Sequence, residues 1–210
     1  MRWGRPFERG AFESPAEQVA PLLLGARFAH TTIEGTVAVR LTEVEAYAGE
    51  GLDPGSHAHR GQGRRNAVMF GEPARLYTYF TYGMHVCANI VCLADGLAAG
   101  ILLRAGEVIE GEELARRRRG DAVATRDLAR GPARLAKAMG IPLSDGGADL
   151  LSSPYALERP ETVAVHAVSA RTGVSGPGGS LEYPWRFYLP DDPTVSPYRA
   201  HVPRRRLPLS

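Results

Sequence analysis

The sequence predicts a single domain that combines β-hairpins with short helices. Its 210 residues fit one domain that can bury a hydrophobic core without a metal or a disulfide. Segments with alternating apolar and polar residues, the pattern of half-buried strands, are joined by short turns at 27–47 and at 75–92. Two helical segments follow, and no change in composition marks a linker. We therefore expect one domain over residues 1–203 and a basic, disordered tail over residues 204–210.

A broken helix is predicted after residue 13. Ser14 is its predicted N-cap, Pro15 its first residue and Glu17 the partner of Ser14 in a capping box. Pro21 lies inside the same pattern, and a proline there removes a backbone hydrogen bond and kinks or ends a helix. We therefore expect a helix that is interrupted before Gly25.

Two strands are predicted at 27–47, with a turn at Gly35, because Val and Thr alternate on both sides of that glycine. Successive side chains of a strand point to opposite faces, so Glu43, Glu45 and Tyr47 share one face. A glutamate at a strand end beside a tyrosine can act as a general base that activates water. Two solvent-facing acids on an edge strand explain the spacing equally well.

The next strand pair, at 75–92, is rich in tyrosine. A three-residue loop that contains a glycine places Tyr79 opposite Cys87. The same register places Tyr77 opposite Asn89, so both tyrosines and Asn89 lie on one face. Tyrosines on a strand belong more often to a core, yet their polar ends favour an exposed edge.

Tyr82 lies at the predicted tip of this hairpin, where it can act as a wedge between base pairs. Nucleobases stack on tyrosine rings, and a positively charged base gains cation–π attraction as well. Several arginines are near in sequence, which makes a nucleic-acid surface a reasonable hypothesis. They are Arg60, Arg64, Arg65, Arg75 and Arg104.

Residues 49–66 form a glycine-rich loop that is too long for a simple connection, and such loops are usually functional or mobile. His57 and His59 have a spacing that can suit metal ligands, but no cysteine pair or third nearby histidine completes a site. We interpret these histidines as hydrogen-bonding or stacking groups, and we expect neither a metal nor a cofactor.

The remaining elements follow from the same rules. Glu112 and Arg116 are spaced four residues apart, so they can form an ion pair on the surface of a helix. We therefore interpret the arginine run at 116–119 as a solvated helix face and not as a DNA-contact patch. Helices are predicted at 111–119 and at 132–139, strands at 100–104, 161–170 and 185–189, and little regular pattern is found at 142–160.

Composition adds a few limits. A net charge of +2 and a pI near 8.7 are only mildly basic, so charge alone does not establish a nucleic-acid partner. Cys87 and Cys92, five residues apart in one strand, cannot form a disulfide, which favours a reduced intracellular protein. Because the sequence lacks a signal core and an apolar run of about 18 residues, we expect a soluble cytoplasmic protein without a membrane span.

Four segments closely resemble the alkyladenine, or 3-methyladenine, DNA glycosylase family. They are E-x-E-A-Y at 43–47, SHAHRG at 56–61, MFGEPARLYTYFTYGMHVCAN at 69–89 and ILLRAGEVIEG at 101–111. The resemblance runs in order from about Phe12 to Tyr198. It implies an α+β fold: a single compact domain with a curved antiparallel β-sheet, flanking helices and a β-hairpin that protrudes into the DNA minor groove.

The resemblance also implies roles for individual residues. Glu45 is expected to be the general base that activates the attacking water, and Arg104 to help position the phosphate or that water. Tyr82 is expected to fill the gap left by an extruded nucleotide. The expected base-binding residues are Tyr47, His57 and Tyr79, which stack on the base, and Asn89, which crowds the 2-amino group of an undamaged guanine.

The implied partner is double-stranded DNA with alkylated or deaminated purines, bound by a nucleoid-associated monomer. A lyase step needs an amine to form a Schiff base, and Lys137 and the N-terminus are the only candidates. We therefore expect a monofunctional glycosylase that leaves an abasic site. Two departures from the family are the segment GQGRRN at 61–66, which lacks the usual Thr-Pro pair, and His85, where animal members carry tyrosine.

Two other classes of function remain open at this stage. The same hairpin and arginines can serve a non-catalytic nucleic-acid binding module, which is favoured if Glu45 is exposed and remote from any pocket. A tyrosine cage can also hold a small cationic ligand or a nucleoside instead of DNA. The salt dependence of binding separates a small-molecule enzyme from the two DNA-binding classes, because binding that neutralises DNA phosphates weakens steeply as the salt concentration rises.

Overall fold

The structure is a computed structural model that describes residues 3–81 and 83–202. Its central element is a 13-residue strand that carries both glutamates of the E-x-E-A-Y motif. Over the described residues, eight strands form one antiparallel sheet and three α-helices accompany it, so the α+β prediction is confirmed. The strands are β1 (Arg27–Thr32), β2 (Gly35–Tyr47), β3 (Leu76–Thr81), β4 (His85–Cys92), β5 (Ala99–Glu110), β6 (Tyr155–Glu158), β7 (Ala167–Ser169) and β8 (Arg186–Tyr188), and the helices are α1 (Ala16–Val19), α2 (Glu112–Arg119) and α3 (Pro132–Met139).

Strand β2 has neighbours on both edges. The main sheet has the order β3-β4-β5-β2-β1-β6, and β8 joins it through β2 and β7. One edge of β2 pairs with β5 along residues 38–47. The opposite edge is shared, because β1 pairs with residues 35–40 and β8 with residues 43–45. The two glutamates therefore lie on a part of β2 that is enclosed by strands from both sides.

Two irregularities in the pairing of β2 with β5 direct side chains toward the glutamates. The register shifts between Leu41 and Glu43 and again between Glu43 and Val44. The first shift leaves Thr42 out of register on β2, and the second leaves Arg104 out of register on β5. Bulges of this kind bend the strand and re-aim a side chain. As a result, the side chain of Arg104 reaches Glu43.

The hairpin of β3 and β4 has the predicted register. Tyr79 pairs with Cys87 and Tyr77 with Asn89. Gly83 has φ of 71°, the left-handed conformation that favours glycine in such a turn. Tyr82, the predicted wedge, lies outside the described residues, as does the predicted tail at 204–210.

The first helix differs from its prediction at the N-terminus. Pro15 is extended and serves as the N-cap, with no side-chain cap bond, so the capping box of Ser14 and Glu17 is wrong. The helix changes into a 3-10 helix at Ala20, which confirms the interruption predicted from Pro21.

Two strand predictions have wrong boundaries, and one strand was not predicted. The strand predicted at 161–170 is only β7, because its partner β8 offers just three residues for pairing. The strand predicted at 100–104 extends to Glu110, since β2 provides a partner along this length. Strand β6 lies within 142–160, where the sequence shows no alternation, and it forms because β1 offers a free edge.

Two hydrophobic clusters position the functional segments. The larger one fills the space between the sheet and the helices. The smaller one contains Ala58, Met69 and Tyr77, so it holds the long loop at 49–66 against the aromatic hairpin.

On α2, Arg116 bonds Glu112 and is partly exposed, as predicted for a solvated helix face. Among the described residues, no helix has the length and apolar character needed to cross a membrane.

Candidate active site

Glu43 and Glu45 form a pair of carboxylates that is completely shielded from solvent. The interpretation as two exposed acids on an edge strand is therefore wrong. Arg104 joins the two groups, because its Nε donates to Glu43 Oε1 at 2.8 Å and its Nη1 donates to Glu45 Oε2 at 3.3 Å. Burial alone would lower the pKa of Arg104, but the charges of the Glu45 and Glu43 carboxylates raise it by more. The pKa therefore lies above its usual value, and the guanidinium stays charged.

Glu43 has the environment of a structural anchor. Besides Arg104, Arg186 Nε donates to Glu43 Oε1 at 2.7 Å, and the backbone N–H of Ser196 donates to Oε2 at 2.7 Å. Burial alone would raise the pKa of Glu43, but the charges of Arg104 and Arg186 and the bond from Ser196 hold it below its usual value. Glu43 is thus a buried anion that joins β2, β5, β8 and the segment around residue 196.

Glu45 accepts three hydrogen bonds from the protein. Tyr47 Oη donates to Oε2 at 2.8 Å, the backbone N–H of Thr172 donates to Oε1 at 2.6 Å, and Arg104 supplies the third bond. A carboxylate has about four acceptor positions, so one position remains for a water. Burial and the Glu45 charge raise the pKa of Tyr47 well above its usual value, which keeps the phenol a donor at neutral pH.

A cleft of about 1130 Å³ lies directly beside these carboxylates. Tyr47, Arg104 and Thr172, the three residues that bond Glu45, all line it. Glu45 itself is covered by them. The cleft therefore has a polar floor with a carboxylate just beneath it. Its walls include His57, Tyr77, Tyr79, Asn89, Arg130, Arg134 and Arg199.

The aromatic wall of the cleft is built from the hairpin and the long loop. The His57 and Tyr79 rings have centroids 4.5 Å apart at an interplanar angle of 74°, and His57 Nδ1 lies 3.0 Å from the Tyr77 hydroxyl. Asn66 fixes the loop, because its Nδ2 donates to the His57 carbonyl at 2.9 Å. Partial desolvation, together with the charge of Arg65, lowers the pKa of His57, so the ring is neutral at pH 7.

Asn89 and Cys87 lie on adjacent positions of the cleft wall. The buried Asn89 amide donates from Nδ2 to the Tyr77 carbonyl at 2.9 Å, which fixes its orientation. Burial raises the pKa of Cys87 to about 11, so this thiol is protonated and a poor nucleophile at neutral pH. The wall is thus neutral and polar beside Asn89.

The structure adds two residues that the sequence did not indicate. Arg171 and Asp53 form a fully buried, bidentate ion pair with both N–O distances at 2.6 Å. The Arg171 guanidinium lies 4.4 Å from the centroid of the Tyr47 ring. No periodic pattern marks either residue, because Asp53 lies in a loop and Arg171 is 118 positions away from it.

This ion pair needs a close approach of two glycines. A Cβ on Gly178 would lie 2.4 Å from the Gly55 nitrogen and 2.7 Å from its Cα, and backbone atoms cannot swing aside. We expect Gly178→Ala to lower the free energy of unfolding by about 1–3 kcal/mol, the range for overpacked interiors, as measured by denaturant titration. Gly10→Ala is the control, because a Cβ on Gly10 meets nothing within 4 Å. Equal effects of the two substitutions would contradict this account.

The described candidate residues converge on one place. The structure brings the following predicted residues together at the cleft: Glu45, Arg104, Tyr47, His57, Tyr79 and Asn89. His59, the other loop histidine, is not among the residues that line it. The predicted grouping of a carboxylate with an aromatic wall is therefore present in the fold.

Comparisons with known proteins identify the family of the chain. Residues 10–193 match the family model described as "Methylpurine-DNA glycosylase (MPG)". The chain is 58% identical over 197 residues to a protein of Leifsonia xyli subsp. xyli, covering 92% of each chain, and 52% identical over 206 residues to one of Streptomyces avermitilis, covering 96% of this chain and 95% of the relative. A protein of Mycobacterium leprae is 43% identical and covers 86% of each chain. All three relatives carry the name "Putative 3-methyladenine DNA glycosylase". With a family model that matches most of its length and relatives this similar, the chain belongs to the methylpurine-DNA glycosylase family.

Proposed function

We propose that the protein excises alkylated or deaminated purines from double-stranded DNA by hydrolysing the N-glycosidic bond, which leaves an abasic site. One observation carries this proposal: Tyr47 lines the aromatic cleft, and its hydroxyl group also donates a hydrogen bond to the buried carboxylate of Glu45. A base that stacks in the cleft would therefore place its sugar near a carboxylate. The family membership of the chain supports the same activity.

The cleft suits a single extruded base. An enzyme cannot reach the glycosidic bond of a stacked purine, so the nucleotide must leave the duplex, at a cost of a few kcal/mol that damaged pairing reduces. Tyr47, His57 and Tyr79 offer ring surfaces for stacking, and a positively charged N-alkylpurine gains cation–π attraction. Asn89, fixed on the wall, crowds the 2-amino group of guanine. Tyr82 fills the gap left in the duplex.

The entrance of the cleft suits a polyanion. Arg134 and Arg199 are exposed and line the cleft, together with the partly buried Arg130. Arginines contact phosphate oxygens well, and each neutralised phosphate adds to the salt dependence of binding. DNA in this position would have its backbone at the arginines and its extruded base at the tyrosines.

The proposed reaction needs one base and one leaving group. Glu45 accepts a proton from a water at its remaining acceptor position, while Arg104 holds the carboxylate in place. The water oxygen bonds to the anomeric carbon as the C–N bond to the purine breaks. The bonding electrons move onto the purine, and an N-alkylated purine thereby loses its positive charge and departs as a neutral molecule. A neutral lesion such as hypoxanthine must also take up a proton from a general acid as it departs. The sugar keeps the water oxygen as a hydroxyl group.

Single-turnover assays with wild-type protein test this proposal directly. Each duplex carries one 3-methyladenine, 1,N6-ethenoadenine or hypoxanthine, and an undamaged duplex is the control. We expect release of free base from at least one damaged duplex and an alkali-sensitive abasic site. Binding without release would favour the binding module instead. Cleavage of free nucleosides but not of DNA would favour a small-molecule enzyme.

We also propose that the enzyme is monofunctional. Lys137, the single lysine of the sequence, is exposed on α3 and does not line the cleft. A Schiff base needs an amine at the sugar, and Lys137 lies away from it. The other candidate, the N-terminal amine, lies outside the described residues. Borohydride added during base release is expected to trap no covalent complex between the enzyme and DNA. A bifunctional glycosylase that uses a lysine for its lyase step gives such a complex under the same conditions. A trapped complex that disappears in Lys137→Arg would overturn this proposal.

A further inference from the structure

Arg171 is a buried cation behind the ring of Tyr47. Its side chain is completely shielded from solvent, and its guanidinium carbon lies 4.4 Å from the Tyr47 ring centroid. Tyr183 and Trp185 surround the same guanidinium, with ring centroids at 5.6 and 5.5 Å. Arg171 does not line the cleft, whereas Tyr47 does. One face of the Tyr47 ring therefore meets a cation, and a base in the cleft must stack on the other face.

The position of this cation has an electrostatic consequence for a stacked base. A base on the free face of Tyr47 lies about 8 Å from the guanidinium, which is the 4.4 Å above plus a stacking distance of roughly 3.5 Å. At an effective dielectric constant of about 20, an uncompensated charge at that distance changes the binding of a cationic base on the order of 30-fold. A neutral base feels far less of this charge.

Asp53 compensates the charge of Arg171. Its two carboxylate oxygens accept from Nη1 and Nη2 of Arg171 at 2.6 Å, and its side chain is fully shielded from solvent. The backbone N–H groups of Ala48 and Gly55 also donate to Asp53, at 3.1 and 2.8 Å, so both of its oxygens bond donors besides Arg171. The pair is therefore close to neutral as a unit, and removing either partner exposes a charge behind Tyr47.

We propose that Asp53 and Arg171 are specificity-determining residues, which set the preference of the base site between positively charged and neutral lesions; this inference rests on the proposed function. Neither residue touches the base, and both act through the Tyr47 ring. The ion pair supplies a rigid support for that ring, and its neutrality allows a cationic purine to stack there.

Ratios of excision rates test this inference. The second-order rate constant of base release is measured at pH 7 for duplexes with 3-methyladenine, which is cationic, and with hypoxanthine, which is neutral. The ratio of the two constants is independent of the fraction of enzyme that is folded. Asp53→Asn leaves the permanent Arg171 charge uncompensated, so we expect its ratio of cationic to neutral lesions to fall about 30-fold.

Two further variants separate charge from structural damage. Arg171→Gln leaves the Asp53 charge uncompensated, so its ratio is expected to rise above that of the wild type. The double variant Asp53→Asn with Arg171→Gln removes both charges, and its ratio is expected to return to within about threefold of the wild type. Damage to the fold alone cannot move the ratio in opposite directions, and either single variant suffices if the other does not fold.

The outcomes distinguish this inference from the proposed function. Base release by the wild type with equal ratios in the variants overturns the role of the ion pair and leaves the glycosylase proposal intact. A ratio that falls in both single variants also overturns it. If the wild type releases neither base, the proposed function fails and this inference fails with it.

Discussion

Glu45→Gln is expected to lower the single-turnover rate of base release about 10³-fold, while binding to the damaged duplex persists. Glutamine keeps the size of the side chain but cannot accept a proton from water, and general-base catalysis contributes about 10²–10⁴-fold. Tyr47 bonds one carboxylate oxygen and the Thr172 N–H bonds the other. Glutamine keeps one oxygen, which can accept from the Thr172 N–H, and its amide N–H can donate to the Tyr47 hydroxyl, because a hydroxyl also accepts. The measurement is release of free base at enzyme excess, with affinity measured separately by titration of the same duplex.

Glu50→Gln is the matched control for this substitution, because Glu50 is an exposed acid five positions along the same segment. We expect its rate to equal that of the wild type. If Glu45→Gln retained the full rate, Glu45 would not be the general base. A parallel loss of affinity and rate in Glu45→Gln would indicate a disturbed cleft instead of lost proton transfer.

Glu43→Gln is expected to lower the free energy of unfolding by about 3–5 kcal/mol, the cost of removing one partner from a buried ion pair. The substitution leaves Arg104 and Arg186 buried without the carboxylate that both contact at 2.7–2.8 Å. Denaturant titration at pH 7 measures the change. Glu107→Gln is the control, because Glu107 bonds Arg40 on the same sheet with 48% of its side chain exposed, and such pairs contribute about 1 kcal/mol or less.

The stabilisation from Glu43 has a defined dependence on pH. Its pKa in the folded protein lies below the usual value, so its contribution is complete above the unfolded pKa of about 4.3. The contribution is lost as the pH falls through the lower, folded pKa. The difference in stability between wild type and Glu43→Gln is therefore expected to be constant from pH 5 to 7 and to shrink below about pH 4. A difference that does not change at acid pH would show that the Glu43 charge is not its source.

The sequence predicts well those parts of the site that follow local rules. The period of two in a strand places Glu45 and Tyr47 on one face, and the structure joins them by a hydrogen bond of 2.8 Å. A three-residue loop predicted around Gly83 implies the register of the hairpin, and the structure has Tyr77 opposite Asn89 as expected. Such features depend only on neighbours in the chain or on the geometry of one turn.

Contacts between residues that are far apart in the chain cannot be predicted from the local patterns of one sequence. Arg171 bonds Asp53 across 118 positions, and Ser196 bonds Glu43 across 153. Alternation within a segment carries no information on such pairs. The role expected for Arg104 came from the resemblance to a family, and its contact with both glutamates depends on a bulge in β5 that no local pattern marks.

The shared edge of β2 has a consequence for the order of events during synthesis. Strand β8 and the segment at residue 196 supply Arg186 and the backbone donor of Ser196, so the acid pair on β2 is completed only by late parts of the chain. A ribosome-bound chain that ends before these parts would expose two carboxylates with incomplete partners. Long-range contacts of this kind form slowly. The acid pair therefore reaches its folded arrangement only after β8 has joined the sheet.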